Sequence, residues 1–261
     1  MPDRLFHYQR FVESHLISLL SAGKLRLSRP NSFNDPWDCR VHYQVPTDPK
    51  ERERVIAYLA EVDRKHNPSR SEVERALIID DFRSNPSTLD TKFLQMEKDL
   101  YEATCKQYRV YCLTEKADSP LMWGHYADSH TGICLEFDAR SEPFTNASKV
   151  EYRTTYPARN IGASIAEHFI RKSQDWSYEA EWRLFAGEQG DAQSTLTIKT
   201  DNDFLTLPSG VLKSVTIGSL ADESSRRRIE HLVKTHATGV LVRQATLASG
   251  RYELRISPPF L

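Results

Sequence analysis

Between about Asp48 and Gln107 the chain carries no glycine, is dense in charge, and repeats its apolar residues at helical spacing. Residues of that kind favour helix over strand, and the 3.6-residue period gives each helix one apolar stripe. Asn67-Pro68 and Asn85-Pro86 interrupt the pattern, because a residue before proline is pushed out of the helical region. Two or three amphipathic helices are therefore expected. Strand-like runs lie on both sides, so these helices form an insertion of about residues 48–107, read first as scaffolding, with covering a cleft or binding a partner as the alternatives.

The flanks read as short strands with a few helices. Leu5–Tyr8 is strand-like, and Ser14–Ala22 has helical spacing with Ser14 as N-cap and Gly23 as stop. Lys24–Ser28 alternates polar and apolar, which turns Leu25 and Leu27 inward. Further strands are expected at Arg109–Leu113, Ile133–Phe137, Val150–Tyr152, Thr195–Lys199, Val211–Ile217, Gly239–Arg243 and Tyr252–Ile256. Helices are expected at Ser119–Ala127, with Pro120 at the first position, at Asn160–Lys172 and at Glu223–Thr235. No repeat or linker divides the chain, so the expectation is one α+β domain over residues 1–261, a mixed or antiparallel sheet with a helical insertion.

With 261 residues, 39% hydrophobic and 27% charged, the chain has the composition of a soluble globular protein. A net charge of −1 provides no global pull towards nucleic acid or an acidic membrane. Arg226-Arg227-Arg228 reads as a solvated helix face. Cys39, Cys105, Cys112 and Cys134 have neither metal-ligand nor disulfide-framework spacing; Cys112 and Cys134 read as buried thiols. Without an apolar leader or a run long enough to cross a bilayer, a cytoplasmic protein with no membrane partner is expected.

The chemistry concentrates in Trp176-Ser177-Tyr178-Glu179-Ala180-Glu181-Trp182-Arg183. On an extended backbone Glu179 and Glu181 share one face and Trp182 takes the other. Two carboxyls that close resist ionising together, so one is expected to hold its proton more tightly. Lys172 and Arg183 are cations within reach of the acids or of phosphates. Two further polar clusters lie near element ends: His7-Tyr8 with Asn34-Asp35-Pro36, and Trp123-Gly124-His125-Tyr126. Taken singly, His7 and His125 are ordinary histidines, Trp123 is core, and Asn34-Asp35-Pro36 is first a turn. The chain has no phosphate loop, dinucleotide turn, nucleophile elbow or zinc-ligand spacing. That disfavours a P-loop NTPase, a Rossmann dehydrogenase, an α/β-hydrolase and a zinc hydrolase.

Three motifs taken together carry a resemblance. Ser28-Arg29-Pro30 with Phe33-Asn34-Asp35-Pro36, then Met122–Tyr126 with Gly132–Phe137, then Trp176-x-x-Glu179-x-Glu181-Trp182-Arg183 resemble the family catalogued as domain of unknown function 2971. That likeness implies no activity. More distantly, the chain resembles ADP-ribosyltransferases, which carry a His or Arg on the first strand, an aromatic or polar residue mid-sheet, and a Glu-x-Glu before a late strand. This second likeness implies a split sheet of that fold and NAD as substrate. Glu181 would be the catalytic acid, Glu179 the residue orienting the acceptor, and Tyr126 the middle position. His7, Tyr8, Asn34, Trp123, His125 and Arg183 would hold the NAD. The acceptor would be nucleic acid or protein, as for a bacterial toxin or phage-defence effector. Two other readings stay open: a metal-dependent nuclease or phosphoesterase using Asp35, Glu179 and Glu181, and a non-catalytic module that binds nucleotide or nucleic acid.

Overall fold

A computed structural model describes residues 1–156, 158–159, 166–189 and 196–260. Two compact units emerge from it, one formed by Met1–Pro36, Cys105–Thr154 and Ile170–Leu261, the other by Trp37–Thr104 and Thr155–Phe169.

The first unit is built on a nine-stranded mixed sheet. Its strands are β1 (Arg4–Gln9), β2 (Tyr108–Thr114), β3 (Ile133–Asp138), β4 (Ser148–Lys149), β5 (Glu181–Glu188), β6 (Lys199–Thr200), β7 (Leu212–Ile217), β8 (Leu241–Leu247) and β9 (Leu254–Ile256). The order is β6-β5-β2-β1-β3-β7-β8-β9, with β4 also paired to β5. β6 on β5 and β8 on β7 are parallel pairs; β5-β2, β2-β1, β1-β3 and β3-β7 are antiparallel.

Strict alternation along the strands gives the sheet two different faces. On one, Leu5, Tyr111, Leu113, Leu135, Phe137, Leu184 and Val215 pack with Leu16 and Leu19 of helix α1 (Glu13–Ala22), and with Ile229 and Leu232 of a later helix, Glu223–His236. On the other, Tyr8, Cys134 and Ala245 pack with Met122, Trp123 and Ala127, from or beside the short helix Pro120–Tyr126. This second face carries the candidate site.

Local signals explain most boundaries. Gly23 ends α1 in the left-handed region at φ 64. The start of α1 differs from the reading of Ser14 as cap: the helix begins at Glu13, and Val12 stands at the cap without a side-chain bond. Ser119 does cap the Pro120 helix, accepting from the Met122 N–H. That helix ends at Tyr126, and after Ala127 come three successive residues at positive φ, Asp128, Ser129 and His130, at φ 50, 53 and 70. The turn is fastened by His130 N–H to the Trp123 carbonyl at 3.1 Å and Gly132 N–H to the Ala127 carbonyl at 2.8 Å. It delivers the chain directly into β3.

Gly218 seals this turn from the far side. A Cβ on Gly218 would stand 2.1 Å from the His130 carbonyl oxygen, a backbone atom that cannot swing aside. Gly218→Ala is therefore expected to destabilise the protein by about 1–3 kcal/mol, as overpacking does. Gly124→Ala, whose new methyl meets only the His130 ring at 3.8 Å, should be neutral or better. Urea unfolding of both variants checks the contrast; equal midpoints would refute the close-approach account.

In the second unit, α2 (Pro49–His66), α3 (Glu72–Ser84) and α4 (Pro86–Gln107) run through the region read as helical. Asp48 caps α2 by accepting from the Lys50 and Glu51 N–H groups, and Ser71 with Glu74 forms a capping box on α3. Ile56, Leu59, Phe82, Leu89 and Phe93 close over Val41 and Tyr43. Arg75 is buried between these helices and is held by Asp63 at 2.9 Å and by Glu72.

Some expected elements differ. Where a helix over Asn160–Lys172 was read, the described part is a four-residue helix, Ala166–Phe169, then a strand, Arg171–Ser173; residues 160–165 lie outside the described residues. The Arg171–Ser173 strand pairs in parallel with Glu151–Arg153, and this non-local partner overrides the helical pattern. Of the Thr195–Lys199 reading, Thr195 lies outside the described residues and the strand is Lys199–Thr200. Among the described residues no helix is long and apolar enough to cross a membrane.

Candidate active site

Four charged side chains meet at the start of β5, all buried: Lys172, Glu179, Glu181 and Arg183. Each arrives by a different local device. Parallel pairing sets Lys172 opposite Tyr152. Glu179 ends a 3-10 helix, Gln174–Glu179, so it is not on extended backbone as the i, i+2 reading required. Ala180 follows in the left-handed region at φ 46, ψ 51. That single residue reverses the chain and brings the Glu179 carboxylate back towards β5. Glu181 and Arg183 alternate along β5 on one face, opposite Thr114 and Cys112 of β2.

The cluster is a charge-balanced chain of bonds. The Arg183 guanidinium grips Glu181 with two bonds, Nε to Oε1 at 2.8 Å and the second amino nitrogen to Oε2 at 2.9 Å. Lys172 Nζ lies 3.5 Å from Glu181 Oε2 and 2.7 Å from Glu179 Oε2. The remaining oxygen of Glu179 accepts from the Tyr126 hydroxyl. Tyr126 in turn is met by the Asn34 side-chain amide at 3.5 Å, and Asn34 is exposed. The Glu181 N–H donates to the Tyr152 hydroxyl at 2.8 Å, and the Thr114 hydroxyl donates to the Glu179 carbonyl. Lys172 Nζ also sits 4.7 Å over the Trp176 ring, and the Arg183 guanidinium 5.8 Å from that of Phe33.

This geometry drives the two carboxyls apart. Burial raises the Glu181 carboxyl, but Arg183 and Lys172 outweigh it and hold the group at about 2. For Glu179, burial dominates and the neighbouring Glu181 charge adds to it; Lys172 opposes without winning, so this carboxyl is raised. Glu181 is thus a permanent anion locked in an ion pair, and Glu179 is the member that can take and release a proton. Burial, with the Glu179 charge nearby, also raises the Tyr126 phenol, which stays a donor at neutral pH.

The structure joins some of the residues read as functional and separates others. Glu179, Glu181, Arg183, Tyr126 and Asn34 form the continuous network. His125 lies beside it on the surface, its Nδ1 2.9 Å from the Tyr178 hydroxyl. Trp123 is wholly buried, donating from Nε1 to the Ala117 carbonyl at 3.0 Å, and cannot stack on a ligand. Tyr8 is core as well, its hydroxyl donating to the Lys116 carbonyl at 2.7 Å. His7 is on the wrong side of the sheet. Phe6 stands opposite Thr114, which stands opposite Glu181, and directly paired residues share a face. His7 therefore points the other way, stacked on Tyr111 at 4.1 Å with Nδ1–H donating to the Cys112 carbonyl. Burial lowers its imidazole to about 4 despite that backbone bond, so it is neutral and offers no cation. Tyr126 sits at the end of a helix rather than on a middle strand. Arg183 serves the acids, with no exposed surface for a phosphate. Cys134 is buried as read, whereas Cys112 is only half-buried.

Tyr152 and Thr114 were missed, and nothing local marks them: both enter through strand pairing. A metal reading would need Asp35, Glu179 and Glu181 to converge on one point. Here the two glutamates converge on an ammonium instead, and among the described residues no group of three or more His, Cys, Asp or Glu could hold a metal ion. Residues 122–184 match the family described as a protein of unknown function (DUF2971), a segment that runs from the Tyr126 helix to the middle of β5. No curated protein and no solved structure matches the chain.

Proposed function

We propose that the chain is an ADP-ribosyltransferase-like enzyme in which Glu179 and Tyr126 are the working pair and Glu181 is the anchor. It would cleave the nicotinamide–ribose bond of NAD and pass ADP-ribose to a nucleic-acid or protein acceptor, on a sheet related to that of the ADP-ribosyltransferases. The observation that carries this reading is the hydrogen-bonded path from the buried Glu179 carboxylate, through the Tyr126 hydroxyl, to exposed Asn34. A carboxyl raised by burial and connected to the surface by a phenol suits proton transfer.

The chemistry balances on these groups. The bond between C1′ of the ribose and the pyridinium nitrogen breaks, its electron pair leaving with neutral nicotinamide. Positive charge builds on the sugar, and the carboxylate behind Tyr126 stabilises it. The acceptor X–H forms the new bond to C1′; its proton goes to the Tyr126 oxygen while Tyr126 hands its own to Glu179. Lys172 steadies the Glu179 anion beforehand and lets it ionise despite burial. Since His7 faces the opposite side of the sheet, the adenosine half must be held by other groups. The likeness in Glu-x-Glu before a late strand supports the reading, with the two acids exchanging the roles expected from sequence.

The test is free nicotinamide, followed after purified protein is mixed with NAD and a lysate containing RNA, DNA and protein. Release by the parent and its loss in Glu179→Gln is the expected result. No release, with NAD also failing to raise the melting temperature, would remove NAD as substrate.

A further inference from the structure

The rim of the acid site is lined by aromatic rings, and the proton path does not use most of them. Trp176, Tyr178, His125 and Tyr126 follow one another with centroids 6.1, 5.9 and 6.1 Å apart. His125 is exposed, and the other three are half-buried, so ring surface is open along the band. The rings are fixed in place: Tyr178 is bonded to His125 at 2.9 Å, Tyr126 to Glu179, and the Tyr178 carbonyl accepts from Lys116 Nζ at 2.9 Å. Lys116 is exposed, which leaves a cation at the edge of the band.

We infer that this band is a stacking platform for an unpaired nucleobase, and that single-stranded nucleic acid is the acceptor delivered to the Glu179–Tyr126 pair. The inference rests on the transfer reading above for the word acceptor, but not for binding. The rings stand edge to face, at 75° between His125 and Tyr178 and 81° between His125 and Tyr126, so a base stacks on one ring with a neighbouring ring against its edge, without regard to sequence, and a cation beside them meets the strand's phosphate. A base stacked on Tyr178, with the nearly perpendicular His125 ring against its edge, would bring its exocyclic groups towards Tyr126, and the exposed Asn34 amide offers donors and an acceptor for its edge. A duplex keeps its bases stacked on each other and cannot use such a surface. The near-neutral chain fits this mode, because stacking rather than phosphate contact supplies the affinity. With Lys116 as the single phosphate contact, log K should fall with log salt at a slope of only about −0.7.

Fluorescence anisotropy of a labelled dT strand of about 12 nucleotides, against the same strand in duplex, tests this with the full chain. Tighter binding of the single strand is expected, weakened roughly 5- to 150-fold in Tyr178→Leu, the range for one lost stack. His125→Ala, at an exposed position, should weaken it in the same direction even if Tyr178→Leu folds poorly, and Lys116→Ala should flatten the salt slope. Binding that is absent, equal for duplex, or unchanged in both ring variants overturns the platform. Nicotinamide release from NAD in the presence of the lysate, with the melting temperature followed as NAD is added, measured on the same preparation, separates the two ideas. Release without strand binding overturns the platform and leaves the NAD reading standing. Strand binding without release does the reverse.

Discussion

Arg183→Met is expected to cost about 3–5 kcal/mol of stability at neutral pH, the usual result of removing one partner from a buried ion pair. Arg183 has no exposed surface, and Glu181 is almost as deeply buried. Without the guanidinium, the cation left beside Glu181 among the described residues is Lys172 at 3.5 Å, and that ammonium is closer to Glu179. A buried carboxylate must then either ionise without its main counter-charge or take up a proton. Replacing both members, as in Arg183→Met with Glu181→Leu, should recover much of the loss, since an apolar pair has no charge to desolvate. The pH dependence follows from the same bond. Glu181 is held at about 2 in the folded protein, against about 4.3 in an unfolded chain. Its contribution, on the order of 3 kcal/mol, is complete above pH 4.3 and is lost as pH falls through 2. Arg183→Met should therefore lose stability at pH 7 and be far closer to the parent in strong acid. Urea midpoints at the two pH values measure this, and parental midpoints at pH 7 would show that Arg183 does not hold Glu181.

That expectation could not have been reached from sequence, for a specific reason. The pair Glu179 and Glu181 was legible as two acids of one site, and their unequal proton affinity follows from closeness alone. Which acid is raised is decided by Arg183 lying on the same strand face as Glu181, and by Lys172 arriving through a parallel pairing with Glu151–Arg153. Strand alternation made the first of these readable. The second depends on a strand partner some twenty residues away in sequence, while Lys172 itself ends a segment whose own pattern reads as helix. His7 failed for a related reason. A residue's position on the first strand says nothing of which sheet face it takes until register is known, and a shift of one residue reverses the answer. By contrast, Gly23, Ser119-Pro120, Asp48 and the breaks at Asn67-Pro68 and Asn85-Pro86 act locally, and boundaries near them were readable. Glu179 shows the limit of local signals: an alanine in the left-handed region is not something its neighbours announce.

Glu179→Gln should separate catalysis from stability, which is what distinguishes a working acid from a structural one. Turnover of NAD is expected to fall by about 10²–10⁴-fold, the usual worth of a positioned general base. Tyr126→Phe should fall comparably, because it cuts the path between carboxylate and acceptor while leaving the charge in place. If the two act as one relay, the double variant will be little worse than either single one. Stability should move the other way with pH. A carboxyl raised by burial stabilises the fold most below its unfolded value, and that contribution is lost as pH rises through its folded value. Gln carries no such charge, so Glu179→Gln should gain on the parent in urea midpoint as pH rises through that raised value. The rate should show the mirror image in the parent: a base must be ionised to accept a proton, so kcat should climb with pH through the raised Glu179 value and then level off. A variant as active as the parent would leave Glu179 a structural neighbour of Lys172. A variant that loses activity and stability together at every pH would do the same, since the lost turnover would then report only unfolding.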